Sequence, residues 1–192
     1  MMPVAIPPWD ARGVLPPLNK TNPTSPVRSP YLVSLTDVVL RFGTSRERCR
    51  ILDGFLRYRA ELHAASVTQG FQWLDGSFLE CVETLESRDP RDIDVVTFVR
   101  LPGGDDPAAL HPDLFTPDRA ERRRVKQQYL VDNYFLNLDT PPEELVRQST
   151  YWYSLWSHRR DRMWRGFVQV DLSPVDDPAA TALLRTLPEH GA

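Results

Sequence analysis

The sequence predicts an α/β (α+β) fold, a small mixed β-sheet flanked by helices, on three observations. Ile93, Val95, Val96, Phe98 and Val99 form a nearly continuous apolar run, the pattern of a strand covered on both faces. Ile51, Phe55, Tyr58 and Leu62 recur at helical spacing. "FVQVDL" at 167–172 alternates, with Val168, Val170 and Leu172 on one face and Phe167, Gln169 and Asp171 on the other. The element order is helices, strand, helical turn, strand, helices, strand, helix, which suits helices layered on a sheet.

A chain of 192 residues is long enough for one domain with a sizeable core. The domain is expected over residues 31–192, preceded by a Pro-rich arm over 1–30. That segment carries eight of the 18 prolines and reads as extended chain, because Pro fixes φ and removes a donor. Its Ile6, Trp9, Val14 and Leu15 favour an arm laid on the domain over a free leader. The net charge of −3 gives no global case for nucleic-acid binding, so any such contact needs a local patch. Arginine far outnumbers lysine, with Lys20 and Lys126 the only lysines. Cys49 and Cys81 have no partner motif and read as buried thiols in a reducing compartment. No apolar run approaches ~18 residues, and the N-terminus lacks the basic start and apolar stretch of a secretory signal. A cytoplasmic protein with no membrane partner is expected.

Along the chain, Ser34 or Thr36 caps a short helix stopped by Gly43, and Ser45 caps a longer one that ends by Gly70. Phe71 to Asp75 is a strand ending at Gly76, and Phe78 to Leu85 a helical turn. Ser87 to Arg91 is a loop, Asp92 to Val99 a strand, and Leu101 to Phe115, rich in Gly and Pro, another loop. Thr116-Pro117 opens a helix carrying Arg122, Arg123, Arg124 and Lys126. Thr140-Pro141-Pro142-Glu143 reads as a capping box. The helix it opens carries Leu145, Trp152, Leu155 and Trp156, then runs into His158, Arg159, Arg160, Arg162 and Arg165. After the third strand, Asp176 or Asp177 caps a terminal helix.

The chemistry concentrates at the mouth of the second strand. Asp92 and Asp94 are two residues apart on a strand, so their carboxylates share a face and repel unless a proton or cation separates them. Hard divalent ions prefer oxygen ligands, and Mg²⁺ is held by one or two carboxylates plus phosphates. Asp171 is a third carboxylate on a largely apolar strand. It either pairs with an arginine such as Arg165 or, if its strand neighbours the first, completes a three-carboxylate cluster able to hold two metals. The Gly76-Ser77 pair lets the backbone approach a phosphate and adds a hydroxyl, although Gly-Ser is also common in plain turns.

"LDGSF", "RDIDVV" and "FVQVDL" together resemble the nucleotidyltransferases of the DNA polymerase beta superfamily in their minimal bacterial form. "GVLPP" at 13–17, followed by helices, resembles a group of small, largely uncharacterised bacterial members. The resemblance implies a nucleotidyltransferase-like fold with a helical insertion before the third catalytic strand. It implies that Gly76 and Ser77 hold the triphosphate of a nucleotide such as ATP. It further implies that Asp92 and Asp94 ligate Mg²⁺ (or Mn²⁺), and that Asp171 ligates the second metal and serves as base. The spacer between Gly-Ser and Asp-x-Asp is longer than in many members, and Asp75 stands where an apolar residue is common. These departures leave the nucleotide and the acceptor open.

The function expected on this basis is Mg-dependent transfer of a nucleoside monophosphate from an NTP to an acceptor hydroxyl on a protein, an RNA 3′ end or a small molecule. A toxin-like or phage-defence setting is one home for so small an enzyme, and a protein partner is a reasonable expectation for a chain with little room for an acceptor domain. The alternative is a catalytically silent module that binds a nucleotide or partner on the same fold. The basic runs at 122–126 and 158–165 are either solvated helix ends or phosphate contacts. His63 reads as a satisfied histidine; no zinc spacing, Walker lysine loop or nucleophile elbow is present.

Overall fold

The protein is described by a computed structural model covering residues 3–101, 114–115 and 118–188. Among these residues the chain forms a mixed α+β fold around one five-stranded sheet. The strands are β1 (Tyr31–Leu32), β2 (Gln69–Asp75), β3 (Ile93–Arg100), β4 (Val131–Asn137) and β5 (Val168–Asp171), in the spatial order β1-β5-β2-β3-β4. β2 is antiparallel to both its neighbours, β3 and β5, whereas β3–β4 and β1–β5 are parallel.

The helices are α1 (Leu35–Phe42), α2 (Arg46–Ala64), α3 (Val82–Leu85), α4 (Arg119–Tyr129), α5 (Pro142–Trp156) and α6 (Asp177–Thr186). α1 begins where Ser34 accepts the Asp37 N–H, and α2 where Ser45 accepts the Arg48 N–H, the two caps that satisfy orphan donors at a first turn. Ile51, Phe55, Tyr58 and Leu62 of α2 are all fully buried, which accounts for their spacing.

Each sheet face has its own cover. On one face Gln72 and Thr97 lie buried beneath α2, whose fully buried Arg59 donates to Gln72 Oε1 at 2.6 Å and to both carboxylate oxygens of Asp177 on α6. α6 packs on α1 and α2, so the ion pair ties α2 to α6 while the Gln72 bond ties α2 to the sheet. On the other face an aromatic cluster forms. Phe71 stacks on Phe98 with centroids 4.5 Å apart, Trp73 lies 5.2 Å from Phe167, and Tyr134 of β4 meets Trp152 of α5 at 4.6 Å. Residues of the N-terminal segment reach the core: Val14 and Leu15 are buried, and the Trp9 indole donates to the Leu79 carbonyl at 2.7 Å.

Several sequence expectations need correction. The sheet has five strands rather than three: Tyr31–Leu32 is too short to carry a pattern, and Val131–Asn137 follows a charged helix that masks it. The segment between β3 and β5 is therefore helix–strand–helix, not purely helical. α2 stops at Ala64, and Gly70, at φ +135°, lies inside β2 instead of ending the helix. α5 has Pro141 at its N-cap with no side-chain cap bond, so the Thr140 capping box does not form. The Thr116-Pro117 start and most of the Leu101–Phe115 loop lie outside the described residues; the described part of α4 is capped by Asp118, which accepts from the Ala120 and Glu121 N–H groups. Among the described residues no helix is long and apolar enough to cross a membrane.

Candidate active site

The sheet register assembles a row of three carboxylates. Asp75, the last residue of β2, lies opposite Asp94 on β3, and Asp94 lies opposite Asp132 on β4. Residues opposite one another on adjacent strands share a face, with Cβ atoms about 5 Å apart. Asp92, two residues before Asp94, points the same way. All four line a cavity of about 880 Å³ together with Gly76, Ser77, Glu80, Lys126, Trp156, His158, Arg159, Arg160 and Arg165. The cavity thus has an acidic floor at the sheet end and a basic rim from the segment after α5.

Burial makes this floor chemically unusual. Asp75 is 1% exposed, and burial pushes its carboxyl up to about 8, against the pull of Arg165 and with a further push from Asp94. Its Oδ2 accepts from Arg165, but Oδ1 is buried with no hydrogen-bond partner among the described residues. Asp94 is pushed up to about 6, by burial first and then by the charges of Asp92 and Asp132. Among the described residues its carboxylate has no ion-pair or hydrogen-bond partner. Lys126, on α4, spans Asp92 at 2.5 Å and Asp132 at 3.1 Å. Partial burial alone would lower its ammonium, but bonds to these two acids outweigh that and hold it above its ordinary value.

The Gly76–Ser77 turn is fixed from behind. Gly76 adopts φ +90°, and a Cβ there would lie 2.6 Å from Asp94 Oδ2, so the position admits no side chain without moving that carboxylate. Arg48, fully buried on α2, donates to the carbonyls of Phe78 and Glu80, each at 2.6 Å, and pairs with Glu83. On the other side Arg165 joins Asp75 and Glu80, while Arg159 joins Glu80 and Glu86. Three arginines therefore clamp the segment that follows Gly-Ser.

Asp92, Asp94, Gly76 and Ser77 are brought together as the sequence predicts. Asp171 is not. It pairs with Phe71, four residues back along β2 from Asp75, which places it about 13 Å along the strand from the acidic row at about 3.3 Å per residue. It is exposed, accepts from the Ser173 N–H at 2.7 Å, and does not line the cavity. The reason is strand direction: β5 runs antiparallel to β2, so its C-terminal end meets the start of β2, not the Gly-Ser end. Arg165, an alternative partner for Asp171 in the sequence, pairs with Asp75 and Glu80 instead. The carboxylate that joins Asp92 and Asp94 in place of Asp171 is Asp132. Its signal in the sequence is faint: an Asp beside a short run rich in aromatics, "VDNYFL" at 131–136, which repeats the placing of Asp94 at the mouth of β3.

The carboxylates of the floor offer hard oxygen donors, and the orphaned Asp75 Oδ1 among them fits a site built for a hard cation. Among the described residues no three His, Cys, Asp or Glu side chains are gathered to hold a metal ion as they stand. A family model described as a family of unknown function (DUF6932) matches residues 7–171, most of the chain, and the chain belongs to that family. No curated protein and no solved structure matches it.

Proposed function

We propose that this member of a family of unknown function is a divalent-ion-dependent nucleotidyltransferase, moving a nucleoside monophosphate from an NTP to an acceptor hydroxyl. The observation that carries the reading is the register row Asp75–Asp94–Asp132 beside Gly76. It agrees with the motif resemblance in all but the identity of the third carboxylate. Asp92, Asp94 and Asp132 would hold Mg²⁺ or Mn²⁺, which when bound supplies charge neutralisation for the triphosphate and the pyrophosphate it releases.

The chain's own residues do the rest. The side-chain-free backbone at Gly76 and the Ser77 hydroxyl receive phosphate oxygens at the cavity wall. Arg159 and Arg160 on the rim draw a polyanion toward the floor. Trp156, backed by Trp152 and Phe167, forms an apolar part of the cavity wall. Asp132, half-buried and open to the cavity, takes the base role that the motif resemblance implies for Asp171, accepting the proton of the acceptor hydroxyl. Asp171 has no role in this scheme.

One observation favours a second reading, a catalytically silent nucleotide-binding module: Lys126 already stands between Asp92 and Asp132. The test is transfer of label from α-labelled ATP, GTP, CTP and UTP into lysate macromolecules with Mg²⁺ or Mn²⁺. The enzyme reading expects label that needs the divalent ion and disappears in Asp94→Asn. No label with any nucleotide, together with a rise in melting temperature on adding NTP that Asp94→Asn leaves unchanged, favours the silent module and removes the enzyme reading.

A further inference from the structure

We infer that Lys126 is a built-in counter-ion of the acidic row, which a divalent cation must displace before the site can bind a nucleotide. The inference rests on the metal-site reading above and concerns how that site is regulated.

The geometry is specific. The Lys126 ammonium is in contact with one oxygen of Asp92 and one of Asp132, while Asp94, two residues from Asp92 and opposite Asp132, has no partner of its own among the described residues. Arg165 is committed to Asp75 and Glu80 on the far side of the row. One ammonium therefore offsets the repulsion between carboxylates at the mouths of β3 and β4. Lys126 reaches them from the last turns of α4, a different element from either acid, on a flexible four-carbon stem. Its side chain is 39% exposed and lines the cavity, so the ammonium can swing into solvent without unfolding anything.

A divalent ion placed among Asp92, Asp94 and Asp132 brings twice the charge and can take oxygens from all three, which an ammonium bridging two of them does not. The exchange is one cation for another, with no covalent step. Its consequence is a threshold: at low divalent concentration the site stays closed by its own lysine, and Lys126, once released, stands beside the cavity as a cation for the phosphates of the incoming nucleotide.

Direct binding of Mn²⁺ to the nucleotide-free protein tests this, followed by electron paramagnetic resonance. The variants are Lys126→Met and, as a charge control on the same helix, Arg123→Met. Lys126→Met is expected to bind Mn²⁺ about tenfold more tightly than wild type, equivalent to about 1.4 kcal/mol, and more tightly than the control. Equal affinity in wild type and Lys126→Met, or the same gain in Arg123→Met, overturns the inference while leaving the metal site in place. No Mn²⁺ binding by either wild type or Lys126→Met overturns both the inference and the site.

A second measurement needs no variant. The chain has only two lysines, so limited acylation of the wild-type protein compares Lys126 with Lys20, which is 69% exposed, lies 3.8 Å from Asp10 and does not line the acidic cavity. Mn²⁺ should accelerate labelling of Lys126 several-fold and leave Lys20 unchanged. An unchanged Lys126 rate at saturating Mn²⁺ contradicts displacement.

Discussion

Asp94 lies in register with Asp132 on the neighbouring parallel strand, and that pairing, not the predicted meeting of Asp94 with Asp171, makes the acidic floor of the cavity. Parallel neighbours start at the same end of a sheet, so two strands that each open with an aspartate bring their carboxylates together automatically. β5 runs parallel to β3 but is separated from it by antiparallel β2, and its aspartate comes at the end of the strand rather than the start.

The Gly76 backbone and the Asp94 carboxylate are too close for a side chain between them. Gly76→Ala is expected to destabilise the protein by about 1–3 kcal/mol, the range for strained backbone, and to weaken Mn²⁺ binding because Asp94 must move. Urea denaturation and metal titration on the same sample check both. A variant with native stability and native Mn²⁺ affinity contradicts the proposed crowding.

Arg48 anchors the turn after Gly-Ser by holding two carbonyls from within the core. Arg48→Ala leaves those carbonyls and Glu83 without their cation and should cost about 3–5 kcal/mol, the penalty for removing one partner of a buried pair. The midpoint of urea unfolding reads this directly. A loss under about 1 kcal/mol, the value typical of an exposed pair, places Arg48 outside the core role given to it.

Asp75 supplies a pH dependence whose sign follows from its raised pKa. Folded, its carboxyl titrates near 8; unfolded, near 3.8. Between these values the native state holds the proton more tightly. The contribution of Asp75 to stability is therefore fully present below about pH 4 and is lost as pH rises through about 8. Asp75→Asn, which leaves Glu80 to pair with Arg165, should lift stability at pH 8.5 relative to wild type and have less effect at pH 5. Denaturation curves at the two pH values make the comparison, and a wild-type-to-variant difference that does not change with pH refutes the buried, raised carboxyl.

Much of this site is legible in the residues alone, and the reason for the rest is physical. Asp92 and Asp94 declare themselves because strand alternation is a local rule, and Gly76-Ser77 because a glycine that ends an apolar run marks a turn there. Ser34 and Ser45 mark helix starts for the same local reason. Asp132 is harder to see. Val131–Asn137 is a half-buried strand whose Asn133, Tyr134 and Phe135 break a clean apolar alternation, and its role depends on lying parallel beside β3, a long-range pairing that no local pattern encodes. Asp171 misleads in the opposite way: its strand is predicted, but strand direction and neighbour order, which decide where its carboxylate ends up, are properties of the whole sheet. Arg48 and Arg59 look like ordinary helix-surface arginines by composition and prove to be fully buried, because each has several oxygens waiting for it in the core.

The most direct measurement compares Asp132→Asn with Asp171→Asn in Mn²⁺ binding by the folded protein. Asp132→Asn should weaken binding at least about 10–100-fold, since even residues that only orient metal ligands cost this much when changed, whereas Asp171→Asn should bind as wild type does. Loss of Mn²⁺ in Asp171→Asn with full binding retained in Asp132→Asn would contradict the site described here.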